Sequence, residues 1–181
     1  MRTKKPIKNT RPTTFQLKLA LLEYFRFKRQ SIVVDECCNN DIVADTGKEI
    51  IEVEVKISKS DLIYGERTRS KQIKHKKYAN SMVVFNPNKY YFCVPSFLKN
   101  NTIEYAKNLN PNYGVIVFNE NNFFNTKYNR KARAYHMDYL EFVKKAKNLH
   151  QNYHILYQKQ IAKRCSAKLI TLLQDKAKNE N

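Results

Sequence analysis

Apolar residues recur along this chain with two periods, and the alternation between them lays out its elements. Phe15, Leu19, Leu22 and Phe25 fall at helical spacing, with Leu21 and Tyr24 widening the stripe. With Thr13 or Thr14 ahead of them as a cap, they predict a first helix over 13–29. The β-branched run Ser31–Val34 predicts a strand, Asp41–Ala44 a second, and Glu49–Ile57 a third that alternates strictly. Asn39-Asn40 signals the first turn, and Asp45-Thr46-Gly47-Lys48 reads as a hairpin with Gly47 at the position that tolerates positive φ. A strongly basic helix is expected over 66–82, a turn at Asn86-Pro87-Asn88, and a buried fourth strand at Tyr90–Val94. Pro95–Leu109 contains a helix, and Tyr113–Phe118 is a fifth strand. Residues 119–136 are Asn-rich and irregular, and 138–150 and 153–178 read as two basic helices. The order implies an α/β fold in which helices flank a mixed sheet. It divides into a basic flexible arm (1–12), one domain (13–136) and a basic helical extension packed on that domain (137–181).

Composition narrows the function classes. The chain has 181 residues, 34 Lys plus Arg against 16 Asp plus Glu, and a net charge of +18. With 42% hydrophobic and 12% aromatic residues it is not generically disordered. No apolar run reaches the roughly 18–20 residues that cross a bilayer. Met1-Arg2-Thr3-Lys4-Lys5-Pro6 is not followed by the apolar stretch of a secretory signal. Only three Gly are present, and neither a Walker A nor a GxGxxG pattern occurs. Cys37, Cys38, Cys93 and Cys165 form no CxxC pair, so reduced thiols and an intracellular protein are expected rather than a zinc site. His150 and His154 lack the Glu of an HExxH motif and read as two solvent-facing histidines. The excess of cations points to a polyanion, nucleic acid before a membrane surface.

The charge is unevenly distributed. Residues 1–30, 67–91 and 127–181 carry net +8, +7 and +9, 92–126 are neutral, and 31–66 carry net −6 from nine acids and three bases. A chain that only coats nucleic acid has no use for that acidic island; a bound divalent cation explains it economically. Salt bridging to the basic flanks is the plainer alternative.

The alternating strand carries the chemistry. In Ile51-Glu52-Val53-Glu54-Val55-Lys56-Ile57, period two sets Glu52, Glu54 and Lys56 on one face and the apolar residues on the other. A hairpin through Asp45–Gly47 brings Asp41 alongside, so Asp41 and Glu54 can converge near Lys56. Two carboxylates holding Mg²⁺ (or Mn²⁺) and a lysine orienting water suit phosphodiester hydrolysis. Glu52 reads as a flanking helper. Arg67, Lys71, Lys74 and Tyr78 fall at one helix face, a stripe of cations ending in an aromatic that suits a phosphate track. Lys127, Arg130, Lys131 and Arg133 read as a basic loop that could close on DNA.

Asp41 followed by Glu54-Val55-Lys56 resembles the D…(D/E)xK signature of the PD-(D/E)XK nuclease superfamily, in the order helix, hairpin with motif, helix, further strands. The run from Glu54 through Lys56 and Ser58 to Asp61-Leu62 resembles the "E-x-K-x-S-x-x-D-F" of RecB-like and MmcB-like DNA-repair nucleases. Lys74-His75 with Tyr78 resembles their "K-W-x-x-Y" helix, with His75 in place of Trp. Tyr91-Phe92-Cys93-Val94-Pro95 and Tyr113-Gly114-Val115-Ile116 resemble two of their strands, so the likeness spans about residues 13–118. Asn40 stands before Asp41 where the superfamily name has Pro.

The resemblance implies a restriction-endonuclease-like αβββαβ core, Mg²⁺ on Asp41, Glu54 and the Val55 carbonyl, and catalysis by Asp41, Glu54 and Lys56. Where relatives add a carboxylate from the first helix, this chain offers Glu23, with Gln16 nearer the usual position; Glu36 is another helper. The expected activity is metal-dependent hydrolysis of DNA, RNA being an open alternative substrate, by a cytoplasmic protein that is not secreted or membrane-bound, possible as a homodimer. The rival is a non-catalytic nucleic-acid-binding module on the same fold. A membrane-surface role is weaker, because the C-terminal helices lack a strong apolar face with Trp or Phe.

Overall fold

The computed structural model describes residues 11–79, 86–125, 138–153 and 155–179. Helix α1 (Thr14–Glu23) starts in a capping box: the Thr13 hydroxyl accepts from the Gln16 amide, and Gln16 Oε1 accepts from the Thr13 amide at 2.8 Å. The helix does not run on regularly to residue 29. Tyr24–Lys28 widen into a π turn, and the Arg29 amide reaches back to the Tyr24 carbonyl at 3.1 Å. The buried stripe is accordingly Leu17, Ala20, Leu21 and Phe25, and Phe15 is 72% exposed.

Strands β1 (Ile32–Cys37), β2 (Asn40–Asp45) and β3 (Ile50–Val55) form an antiparallel meander. Cys38 and Asn39 make a two-residue turn with φ of +54° and +61°. The second turn uses Gly47 at φ +80°, its amide donating to Asp45 Oδ1 at 2.8 Å. Ser58 caps α2 (Lys59–Tyr64), and a 3₁₀ turn at Gly65–Arg67 leads into α3 (Arg69–Tyr78). The expected helix over 66–82 is therefore shorter, and 80–82 lie outside the described residues.

Strand β4 (Lys89–Pro95) runs parallel to β3, and after α4 (Lys99–Leu109), β5 (Gly114–Phe118) runs parallel to β4. Then follow α5 (Glu120–Asn125), β6 (Leu140–Lys144) antiparallel to β5, and α6 (Ile155–Asn179). The fold is α/β, with a six-stranded mixed sheet in the order β1-β2-β3-β4-β5-β6 flanked by helices. The helix expected over 138–150 is corrected to strand β6: the open edge of β5 supplies backbone partners, while Phe142 and Val143 pack on opposite faces of the sheet.

One sheet face (Ile42, Ala44, Val53, Val55, Cys93, Ile116) packs against Leu17 and Leu21 of α1 and Phe25 of the π turn. The other face divides. Tyr90, Phe92, Val115 and Val117 meet Leu62, Tyr78 and Ala106 of α2, α3 and α4. Val43 and Ile50 meet Tyr157 and Ile161 of α6. Glu52, Glu54 and Lys56 come out of β3 where these two patches meet, so their charges are enclosed by helices rather than bathed in water.

Candidate active site

Asp41 is at the start of β2, just after the tight turn. One carboxylate oxygen accepts from the Val55 backbone amide at 2.8 Å, so the side chain closes the β2–β3 ladder where the backbone pairing stops. The other oxygen pairs with Lys18 of α1 at 2.9 Å. Asp41 is thus fixed beside the backbone between Glu54 and Lys56. Its carboxylate faces α1, however, whereas Glu54 faces α3.

Glu54 is buried and surrounded by ammonium groups. Its Oε1 accepts from Lys71 and lies 3.3 Å from Lys56 Nζ; its Oε2 lies 3.5 Å from Lys74 Nζ and makes no hydrogen bond. Lys56, 4% exposed, lies 2.7 Å from Glu66, 3.3 Å from Glu54 and 3.5 Å from Asp61. Burial alone would lower the lysine's pKa, but the carboxylates of Glu54, Glu66 and Asp61 together outweigh it and raise it. Lys56 therefore remains an ammonium: it can orient water and stabilise negative charge, but it is not poised to act as a base.

Glu66 was not anticipated from the sequence. It comes from the 3₁₀ turn before α3, fully buried, and binds Lys56 with one oxygen and His75 Nε2 with the other at 2.7 Å. Burial opposes its ionisation, but the bonds from His75 and Lys56 prevail and hold its pKa down at about 2. An ionised carboxylate only accepts, so in the neutral imidazole Nε2 carries the proton and Nδ1 accepts from the Tyr113 hydroxyl at 2.8 Å. His75, at the position where the resembling motif has Trp, thus bridges a site residue to the aromatic core.

Glu52 is buried beneath the site. It accepts from the hydroxyls of Tyr78 and Tyr157, and Lys74 approaches to 3.9 Å. Burial pushes its pKa up. Lys74 also donates to the Asn40 side chain and lies over the Tyr90 ring, 5.1 Å from its centroid. Burial lowers its pKa, with Glu52 and Glu54 opposing.

Of the expected phosphate track, Lys71, Lys74 and Tyr78 share the inner face of α3 and are bound to the protein's own carboxylates. Tyr78 is buried, so its hydroxyl serves Glu52 rather than a ligand. Arg67 precedes the helix, exposed over the Tyr64 ring at 5.6 Å. Glu23 accepts from Tyr139 at 3.0 Å, Gln16 is occupied in the capping box, and Glu36 pairs with Lys18 and Arg164 at the surface. Lys127, Arg130, Lys131 and Arg133 lie outside the described residues, as does His154. His150 corrects the solvent-facing expectation: it is buried, donating from Nε2 to the Asn86 carbonyl at 3.0 Å. The first signal that could have revealed the added groups is the even spacing of Glu52 and Glu54, since two carboxylates on a covered face require cations from the facing helix.

The metal expectation can be set against these donors. Among the described residues no three His, Cys, Asp or Glu side chains stand together as a metal cage. Mg²⁺ does not need one, since it is usually held by one or two carboxylates and keeps several waters. The unbonded, buried Oε2 of Glu54 and the carboxylate of Asp41 are hard oxygen donors on neighbouring strands. Each is neutralised by a lysine, Asp41 by Lys18 and Glu54 by Lys71, so an ion there would bind in exchange for those ammonium groups.

Comparison with protein-family models, with curated proteins and with solved structures finds no match. Among the described residues no helix is long and apolar enough to cross a membrane.

Proposed function

We propose that this chain is a metal-dependent nuclease that hydrolyses phosphodiester bonds in DNA, a relative of the RecB-like and MmcB-like nucleases of the PD-(D/E)XK superfamily. One observation carries the reading. Glu54 and Lys56 project from one face of β3, both buried, while Asp41 is hydrogen-bonded to the amide of the residue between them. Burial gives that arrangement leverage, because charges act more strongly on one another away from water. The order α1, β1-β2-β3 meander, helices, then β4 parallel to β3 agrees with the expected αβββαβ core.

In this reading Asp41 and Glu54 would hold Mg²⁺, helped by the Val55 carbonyl. The chemistry the ion supplies is polarisation of the scissile phosphate and a lowered pKa for water. Lys56, protonated and held by Glu66, orients the attacking water and offsets charge developing on the phosphate. With the charge of Glu54 met by an ion, Lys71 and Lys74 would be free to hold the phosphodiester.

A second reading, a non-catalytic nucleic-acid-binding module, is favoured by a different observation: Lys18 and Lys71 already neutralise Asp41 and Glu54. Calorimetric titration with Mn²⁺ separates the two. The nuclease reading expects a binding isotherm that disappears in Glu54→Ala. An isotherm that Glu54→Ala leaves unchanged, or none at all, supports the binding module instead.

A further inference from the structure

Between α3 and the β1–β2 turn lies a half-open pocket of about 590 Å³. The volume falls in the range of small-ligand sites, roughly 300–1,000 Å³. Cys38 and Asn39 form the turn side; Lys71, Lys74 and Lys77, with Ile73, form the helix side. Among the described residues of its wall three lysines face one carboxylate, Glu52, so cations are in excess there. Two of those cations, Lys71 and Lys74, also pair with Glu54, so the pocket shares two of its wall residues with the candidate catalytic carboxylate.

A pocket of this size cannot admit a base that is paired and stacked in a duplex; the nucleotide must first leave the helix. We infer that this pocket receives one unpaired nucleotide, at a strand end or in a single-stranded stretch. Its phosphate lies between Lys71 and Lys74, and its base lies against Ile73 with the Asn39 amide at its edge. The inference rests on the nuclease reading and refines it: the substrate is single-stranded at the point of cleavage. A base packed against an apolar side chain beside a cationic groove is held mainly without sequence readout.

The chain contains no Trp, so Ile73→Trp, at a position 45% exposed, places a single fluorophore on the pocket wall. The full chain carrying it is titrated in Ca²⁺, a hard cation that carboxylates bind, with a fluorescein-labelled single-stranded oligonucleotide and with the blunt duplex of the same sequence. Anisotropy of the label reports binding and tryptophan emission reports pocket occupancy. In the unsubstituted chain, iodoacetamide labelling of exposed Cys38 is followed by mass spectrometry, with Cys165 as the internal reference.

The single strand is expected to quench most of the tryptophan emission. It should slow Cys38 alkylation about tenfold at a ligand concentration near ten times Kd, while the duplex does neither. Binding seen by anisotropy, with emission and Cys38 reactivity unchanged or equally changed by the duplex, overturns the pocket assignment and leaves the nuclease reading standing. No anisotropy change with either oligonucleotide overturns both.

Discussion

Lys56 shows what the site demands of single residues. A lysine enclosed among Glu54, Glu66 and Asp61 is costly to desolvate, and it remains charged because the acids around it are ionised as well. Removing the most buried partner should be expensive: Glu66→Gln is expected to lower unfolding stability by about 3 kcal/mol in urea titrations. The pH dependence has a definite sign. Glu66 ionises near pH 2 when folded, against an ordinary value of 4.5, so its contribution is complete above 4.5 and is lost as pH falls toward 2. The wild type should lose stability across that window, and Glu66→Gln should lose distinctly less; equal slopes would show that Glu66 is not the acid-sensitive group. That Glu54 and Lys56 share a face was legible because period two states which face each occupies. The roles of Lys18, Asn40, Glu66 and His75 were not, since each depends on which helix face the folded sheet receives.

At the scale of elements, α6 buries side chains only in its first two turns. Of its length only Tyr157 and Ile161 are buried, against Val34, Val43 and Ile50, while Leu169, Leu172 and Leu173 are more than half exposed. Ile161→Ala is expected to cost about 2–5 kcal/mol, whereas Leu172→Ala should stay within roughly 0.5 kcal/mol. Thermal melts of the two variants check the contrast, and equal losses would mean that the distal half of α6 is packed. The strands of the β1–β3 hairpins were readable from alternation and from Gly47, because local pattern and turn chemistry agree there. Strand β6 was not: Tyr139–Lys144 suits a helix when read alone, and becomes a strand through the unfilled edge of β5. The end of α1 was misread for a similar reason, since nothing local announces a π turn at Tyr24–Lys28.

Across the whole molecule, the net charge of +18 resolves into basic segments around a neutralised interior. Four of the nine acids of the island at 31–66, Asp45, Glu52, Glu54 and Glu66, are buried, and Lys56, Lys71 and Lys74 meet the three glutamates. Internal salt bridging thus accounts for part of the island without a metal, and leaves Lys77 and Arg67 at the surface for phosphates. If about three lysines of α3 contact the backbone of a bound single strand, its affinity should fall by roughly 20-fold between 50 and 200 mM salt. Anisotropy titrations over that range measure the slope, and a flat response would mean that α3 does not meet phosphate.

The most direct measurement is cleavage itself. Labelled single-stranded, duplex, forked and junction DNA, and RNA, are incubated with the full chain and Mg²⁺ or Mn²⁺, alongside Asp41→Ala, Glu54→Ala and Lys56→Ala. The account predicts metal-dependent cleavage of DNA carrying a single-stranded segment, abolished in all three variants while their DNA binding is retained. Absence of cleavage of every substrate by the wild type, or cleavage that survives Glu54→Ala, would contradict it.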